Sequence, residues 1–246
     1  MEISAEQTVH STKASIFEGQ LAIANRELVH FDALVEVATL ASLESSLPDS
    51  GLRVKTTDSY NFKQTRPLPD NFQIIDQDVT EETGVATTPL EPNVLVAVGA
   101  SCCNLNLIFD AEGRAATLHK PYTSIDTDFN PYFTMAAKTV TGPSIMVVSG
   151  VNSGSMFGEG KVVTEWRRVI VDVMARNSVR SVEFPDQKIV PIFANAEARD
   201  PQKPDWIVGL IFVPRTIDRR FKKNRVFLIP RQISHEAVQK LIEMCR

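Results

Sequence analysis

The stretch VAVGASCCNLNLIFDAEGRAATLHK, residues 96–120, decides how the chain is read. Its start belongs to NVLVAVG at 93–99, a short apolar, β-branched run that ends on glycine as a buried strand does. Asn104–Phe109 and Arg114–His119 then flank DAEG, a pattern that predicts a hairpin. Two of the three cysteines, Cys102 and Cys103, stand side by side at its entrance, and His119 stands at its exit.

A cysteine attacks as its thiolate, so a catalytic one needs a base or cation beside it, and histidine is the usual choice. Opposed residues on neighbouring strands have Cβ atoms about 5 Å apart and diagonal ones roughly 7 Å, within reach of such a pair. Which cysteine meets His119 depends on the turn. If DAEG closes as a two-residue loop, Asn104 faces His119, and Cys102 lies diagonally beside it on the same face. If the turn is type I with Gly113 in a bulge, Asp110 faces Arg114, the register slips by one, and Cys103 takes the shared face. An aspartate opening the turn and a glycine closing it favour the bulged form; a second bulge near the site would restore Cys102. The competing reading is structural, since cysteine is among the most buried residue types and a histidine at a strand end is often a core residue.

Outward from this hairpin the chain alternates strands and helices. Asp32–Leu47 predicts a short helix, with Asp32 as cap, Leu34, Val37, Ala38 and Ala41 at helical spacing, and PDSG as its stop. Residues 60–92 shift to Pro, Asp, Thr and Gln and read as an extended linker, which puts a domain boundary near residue 90. Downstream, Asn130–Val140 predicts a helix that starts after Pro131, and SIMVVSG a buried strand. After the glycine-rich GVNSGSMFGEG, Thr164 caps a helix whose Trp166, Val169, Ile170 and Val173 share one face. VRSVEF and KIVPIF around PDQ, then WIVGLIFV, predict further strands, and a last helix opens at Ser234. Hairpins and helices in this order give an α+β domain.

Composition narrows the functions. With 26 basic and 30 acidic residues, the net charge of -4 offers no general attraction to nucleic acid or to anionic membranes. The densest basic run, RTIDRRFKKNR at 215–225, reads as a solvated loop between strands. No apolar run approaches the roughly 20 residues that span a bilayer, and MEISAEQTVHSTK lacks the features of a secretory leader, so a cytoplasmic location is expected. Adjacent cysteines bridge poorly, and the four histidines show no ligand spacing, so neither a disulfide framework, a metal nor another cofactor is expected.

The order of these pieces resembles the bacterial chemoreceptor glutamine deamidases, the CheD-like family. The resemblance rests on VAVGASC followed by a hairpin and a histidine 17 positions after Cys102, on SGVNSGSMFGEG, and on VRSVEFPDQKIV, over about residues 93–195. It implies a β-sandwich-like core of mixed and antiparallel strands with flanking helices over residues 91–246, preceded by an N-terminal extension over 1–90 that has no counterpart in the family. It also implies a cysteine hydrolase that deamidates glutamine in a protein substrate, with Cys102 as nucleophile and His119 as base; the turn holding Gly99 and Ser101 is then the expected oxyanion site, because small residues let the chain present backbone N–H donors closely. The family's threonine six residues before the cysteine falls on Val96. There the resemblance, together with that of the cytotoxic necrotizing factor toxins, implies that a backbone carbonyl orients the histidine. An acyl-thioester would serve a transglutaminase equally well, and a binding module that kept the fold and lost the reaction is the alternative. The substrate could be a chemoreceptor or, for a delivered effector, a host protein.

Overall fold

The computed structural model describes residues 21–22, 25–26, 28–39, 41–42, 55–56, 72–75, 84–97, 100, 103–121, 130–140, 143–150, 189–195, 203–217 and 222–233. They build a strand-rich α+β fold of two mixed sheets with one long helix. The strands are β1 (Ala33–Val37), β2 (Lys55–Thr56), β3 (Phe72–Ile75), β4 (Val85–Thr87), β5 (Val94–Ala97), β6 (Cys103–Asp110), β7 (Ala115–Pro121), β8 (Ser144–Gly150), β9 (Ile189–Phe193), β10 (Ile207–Val213) and β11 (Asn224–Pro230). The first sheet runs β1-β11-β10-β5-β3-β2 and the second β4-β7-β6-β8-β9.

The two sheets face each other across one apolar layer. Leu95, Ala97, Leu210, Phe212, Val226 and Leu228 of the first sheet share it with Leu105, Leu107, Phe109, Ile145 and Val147 of the second. Alternation along a strand therefore turns Val94 and Val96, with Ile211 and Phe227 beside Val96, to the opposite face of the first sheet, where they are also fully buried. Burial on both faces is why β5 and β10 read as unbroken apolar runs rather than alternating ones. The outer face of the second sheet is covered by α1 (Asn130–Thr139), with Pro131 in its first turn, where a missing N–H costs nothing. Tyr132, Phe133, Ala136 and Val140 pack there on Ile108, Ala116, Leu118, Met146 and Val148. The Tyr132 hydroxyl reaches the carbonyls of Ala116 (3.0 Å) and Asn106 (3.3 Å), and burial holds this phenol well above its usual pKa.

Three features differ from the sequence reading. The helix expected over 32–47 is instead a strand over Ala33–Val37, with Ala41 and Ser42 helical only after it. Ala33 and Val35 are buried, Leu34 and Glu36 are partly exposed, and β1 lies parallel to β11, so a partner strand overrides a four-residue spacing. The Asn25 side chain holds the N–H and C=O of Val35 (2.9 and 2.8 Å). Second, the linker expected over 60–92 contains β3, which pairs with β5, and β4, which pairs with β7. The first sheet thus combines strands from both sides of residue 90, and the boundary expected there does not separate two sheets. Third, the end of the basic run is not solvated: Arg225 is the second residue of the buried strand β11, where its guanidinium bonds Glu36 (2.7 Å) and lies 4.8 Å over the Phe227 ring. The helices expected from Thr164 and from Ser234, and the strand VRSVEF, lie outside the described residues.

Candidate functional site

The hairpin adopts the bulged turn. The Asp110 N–H donates to the Arg114 carbonyl (3.0 Å) and the Gly113 N–H to the Asp110 carbonyl (3.2 Å), while Gly113 has φ 85, a left-handed conformation suited to glycine. Asp110 Oδ1 accepts the N–H groups of Glu112 (2.9 Å) and Arg114 (3.0 Å), and Oδ2 lies 3.2 Å from Arg114 Nε. Asn224 of the facing sheet donates to the carbonyls of Asp110 (3.0 Å) and Ala111 (3.3 Å), so the turn is bolted to the first sheet.

Burial raises the Asp110 carboxyl above its ordinary value, although Arg114 and the two N–H donors pull the other way. A carboxyl raised in the folded state stabilises the fold fully below its unfolded pKa of about 3.9, and that contribution is lost as pH rises through the raised value. Asp110→Asn removes this titration. Urea unfolding of both proteins from about pH 3 to about pH 7 is therefore expected to show the stability difference moving in favour of the variant as pH rises. A pH-independent difference would contradict the burial argument.

The register from this turn runs Phe109 opposite Ala115, Leu107 opposite Thr117, Leu105 opposite His119 and Cys103 opposite Pro121. Ala115 lines the inner layer, so Thr117 and His119, at two-residue steps, face the same layer, as do Leu105 and Cys103. His119 and Cys103 are diagonal neighbours on that face, a relation that sets Cα atoms about 7–8 Å apart. Both are buried, His119 to 0% exposure. Thr117 Oγ1, two residues before His119, is buried with no hydrogen-bond partner, which costs about 1–3 kcal/mol when nothing compensates it.

The same end of the sandwich carries a second polar group. Ser149 lies opposite Leu105 on β8, in one row with His119. Asn195, which follows β9 with φ 68, brackets Ile207: its Oδ1 accepts the Ile207 N–H (2.9 Å) and its Nδ2 donates to the Ile207 carbonyl (2.7 Å). The Ser149 hydroxyl donates to that same carbonyl (3.3 Å). The β10–β11 register slips between Ile207 and Gly209, leaving Val208 as the extra residue, and the Val208 carbonyl accepts the Ala100 N–H (2.9 Å). Neither Ser149 nor Asn195 stands out in the sequence, because the partners of this group are 12 to 58 positions apart.

Among the five residues singled out from sequence, His119 and Val96 are described, whereas Gly99, Ser101 and Cys102 lie outside the described residues. Residues on either side of that turn are placed: Ala97 ends β5 in the first sheet, Ala100 is bonded to Val208, and Cys103 begins β6 in the second sheet. Register puts Cys103 on the face of His119, and the ladder starts at that residue. Val96 sits in register between Ile211 of β10 and Ile74 of β3, with its side chain on the face away from His119. A strand flanked on both edges directs its carbonyls along the sheet, so this placement gives Val96 no clear route to the imidazole.

Among the described residues no group of three His, Cys, Asp or Glu side chains could hold a metal ion, and no helix is long and apolar enough to cross a membrane. No protein-family model matches the chain, and no curated protein gives a significant match.

Proposed function

We propose that the chain is a CheD-like cysteine amidohydrolase that converts glutamine side chains of a protein substrate to glutamate, with Cys102 as nucleophile and His119 as base. The observation that carries this reading is the crossover between the sheets: Ala100 is still bonded to Val208 of the first sheet, and Cys103 begins β6 of the second, at the end of the sandwich where His119 faces inward. Covalent continuity keeps the Cα of Cys102 about 3.8 Å from that of Cys103, the diagonal neighbour of His119. The buried Thr117 hydroxyl, two residues before His119 on the same face, has no hydrogen-bond partner, which suits an inner layer that admits a polar group next to His119.

The imidazole takes the thiol proton, and the thiolate attacks the carboxamide carbon of glutamine. The resulting tetrahedral oxyanion collapses as the imidazolium protonates the leaving nitrogen, which departs as ammonia. Water, deprotonated by the imidazole, then hydrolyses the thioester to glutamate and restores the thiol. The Ala100 N–H is committed to the Val208 carbonyl, so the oxyanion donors fall to other N–H groups of the turn, those of Gly99, Ser101 and Cys102.

A second reading, a protein-binding module without chemistry, is favoured by the complete burial of His119 and by the place of Val96. Intact-mass analysis of glutamine-bearing proteins incubated with the purified chain separates the two. Hydrolysis adds about one dalton per site and releases ammonia, and Cys102→Ala abolishes both. Unchanged masses across a broad panel, with a stable complex captured instead, would establish the module.

A further inference from the structure

We infer that Asn195 and Ser149 are positioning residues for the Cys102 turn, acting through the bulge in β10; the inference rests on the Cys102–His119 reading above. Asn195 satisfies both backbone groups of a single residue, Ile207, with contacts of 2.9 and 2.7 Å, and Ser149 adds a third contact to the same carbonyl. Ser149 is fully buried and Asn195 nearly so. A side chain that accepts from the N–H and donates to the C=O of one residue replaces a missing ladder partner, and fixes the backbone in both rotation and distance. The residue so fixed is the one before the bulged Val208.

A bulge re-aims the groups next to it. Here it turns the Val208 carbonyl onto Ala100, two residues before the proposed nucleophile. One continuous chain of bonds thus runs from Ser149 and Asn195 through Ile207 and Val208 to Ala100. It ties β8 and the end of β9, both in the second sheet, to the start of the turn that leaves the first sheet. Since Ser149 stands in the row of His119, two strands away across β6, the clamp refers the position of residue 100 to the sheet that carries the base. A nucleophile displaced by about 1 Å loses on the order of a hundredfold in rate, so a clamp of this kind has a kinetic consequence beyond stability.

Asn195→Gly tests this without disturbing the backbone, because glycine accepts φ 68 as readily as asparagine does and removes only the clamp. Ser149→Ala is the milder companion, deleting one contact of three. Two readouts are taken on folded protein. Hydrogen exchange at the Ala100 amide is expected to accelerate about tenfold in Asn195→Gly, while amides of the hairpin near Arg114 keep their rates. The pH midpoint of Cys102 alkylation by iodoacetamide, followed by fragment-ion localisation of the label between Cys102 and Cys103, is expected to rise by about one unit toward that of an ordinary thiol, with Ser149→Ala between the two.

Unchanged exchange at Ala100 in both variants overturns the clamp itself. Faster exchange with an unchanged alkylation midpoint overturns the positioning role and leaves a structural latch. If Cys102 in the unaltered protein already alkylates with an ordinary midpoint, the Cys102–His119 reading fails and the positioning role falls with it. The exchange data then still report separately whether the latch exists.

Discussion

Replacing His119 by glutamine is expected to slow Cys102-dependent glutamine hydrolysis by a factor of about 10²–10⁴, the usual contribution of a general acid–base. Glutamine approximates the volume of the imidazole, which matters because His119 is fully buried and a truncation to alanine would open a cavity. Alkylation at a single pH is a much poorer readout. If the pair lowers the thiol midpoint by about two units, the thiolate fraction at neutral pH rises about twentyfold, but the lower intrinsic nucleophilicity takes back roughly eightfold. The remaining difference is about threefold, which a change in accessibility could mimic. The shape of the pH profile decides: the unaltered protein should reach its plateau near neutrality, and His119→Gln should keep climbing through about pH 8.5. Superimposable profiles together with undiminished turnover would remove His119 from the mechanism. Fragment-ion localisation of the label within the peptide also distinguishes the two adjacent cysteines, and Cys103, buried in the sheet, is expected to resist the reagent.

The sequence made the middle of the fold readable because local rules apply there. The Asp110–Gly113 turn settles the hairpin register by its own chemistry, and the bulged form that Asp and Gly favour is the one found. SIMVVSG and WIVGLIFV are strands because both faces are buried, and Pro131 marks the start of α1. The failures have a common cause in long-range pairing. ALVEV became a strand because β11 lies beside it, and β11 went unrecognised because its first residues close a basic run. A buried arginine there is tolerable only with Glu36, 189 positions away, as its partner. The same holds at the site. The Cys–His spacing was visible in a single hairpin, whereas the Ser149–Asn195–Ile207 clamp joins three strand ends that nothing local connects.

Phe212→Ala is expected to cost about 3–5 kcal/mol of stability. Phe212 comes from the middle of the first sheet and Phe109 from the middle of the second, and their rings meet with centroids 5.1 Å apart and planes tilted by 43°. Neither is exposed to solvent. Removing the ring leaves a void between two sheets held by paired strands, which cannot close over it freely, so the cavity penalty adds to the lost burial. Phe212→Leu fills most of that space and is expected to cost under about 1.5 kcal/mol. Since a domain has only about 5–15 kcal/mol in all, the alanine variant should show a large fall in urea midpoint with little change in the slope. Phe109 and Phe212 lie toward the Asp110 turn, at the far end of the inner layer from His119 and Ser149. The fraction of Phe212→Ala that remains folded is therefore expected to keep the Cys102 alkylation midpoint, whereas Asn195→Gly moves that midpoint at a smaller cost in stability. Loss of the midpoint in Phe212→Ala would mean instead that the core and the Cys102 turn yield as one unit, and that the clamp does not set the turn by itself.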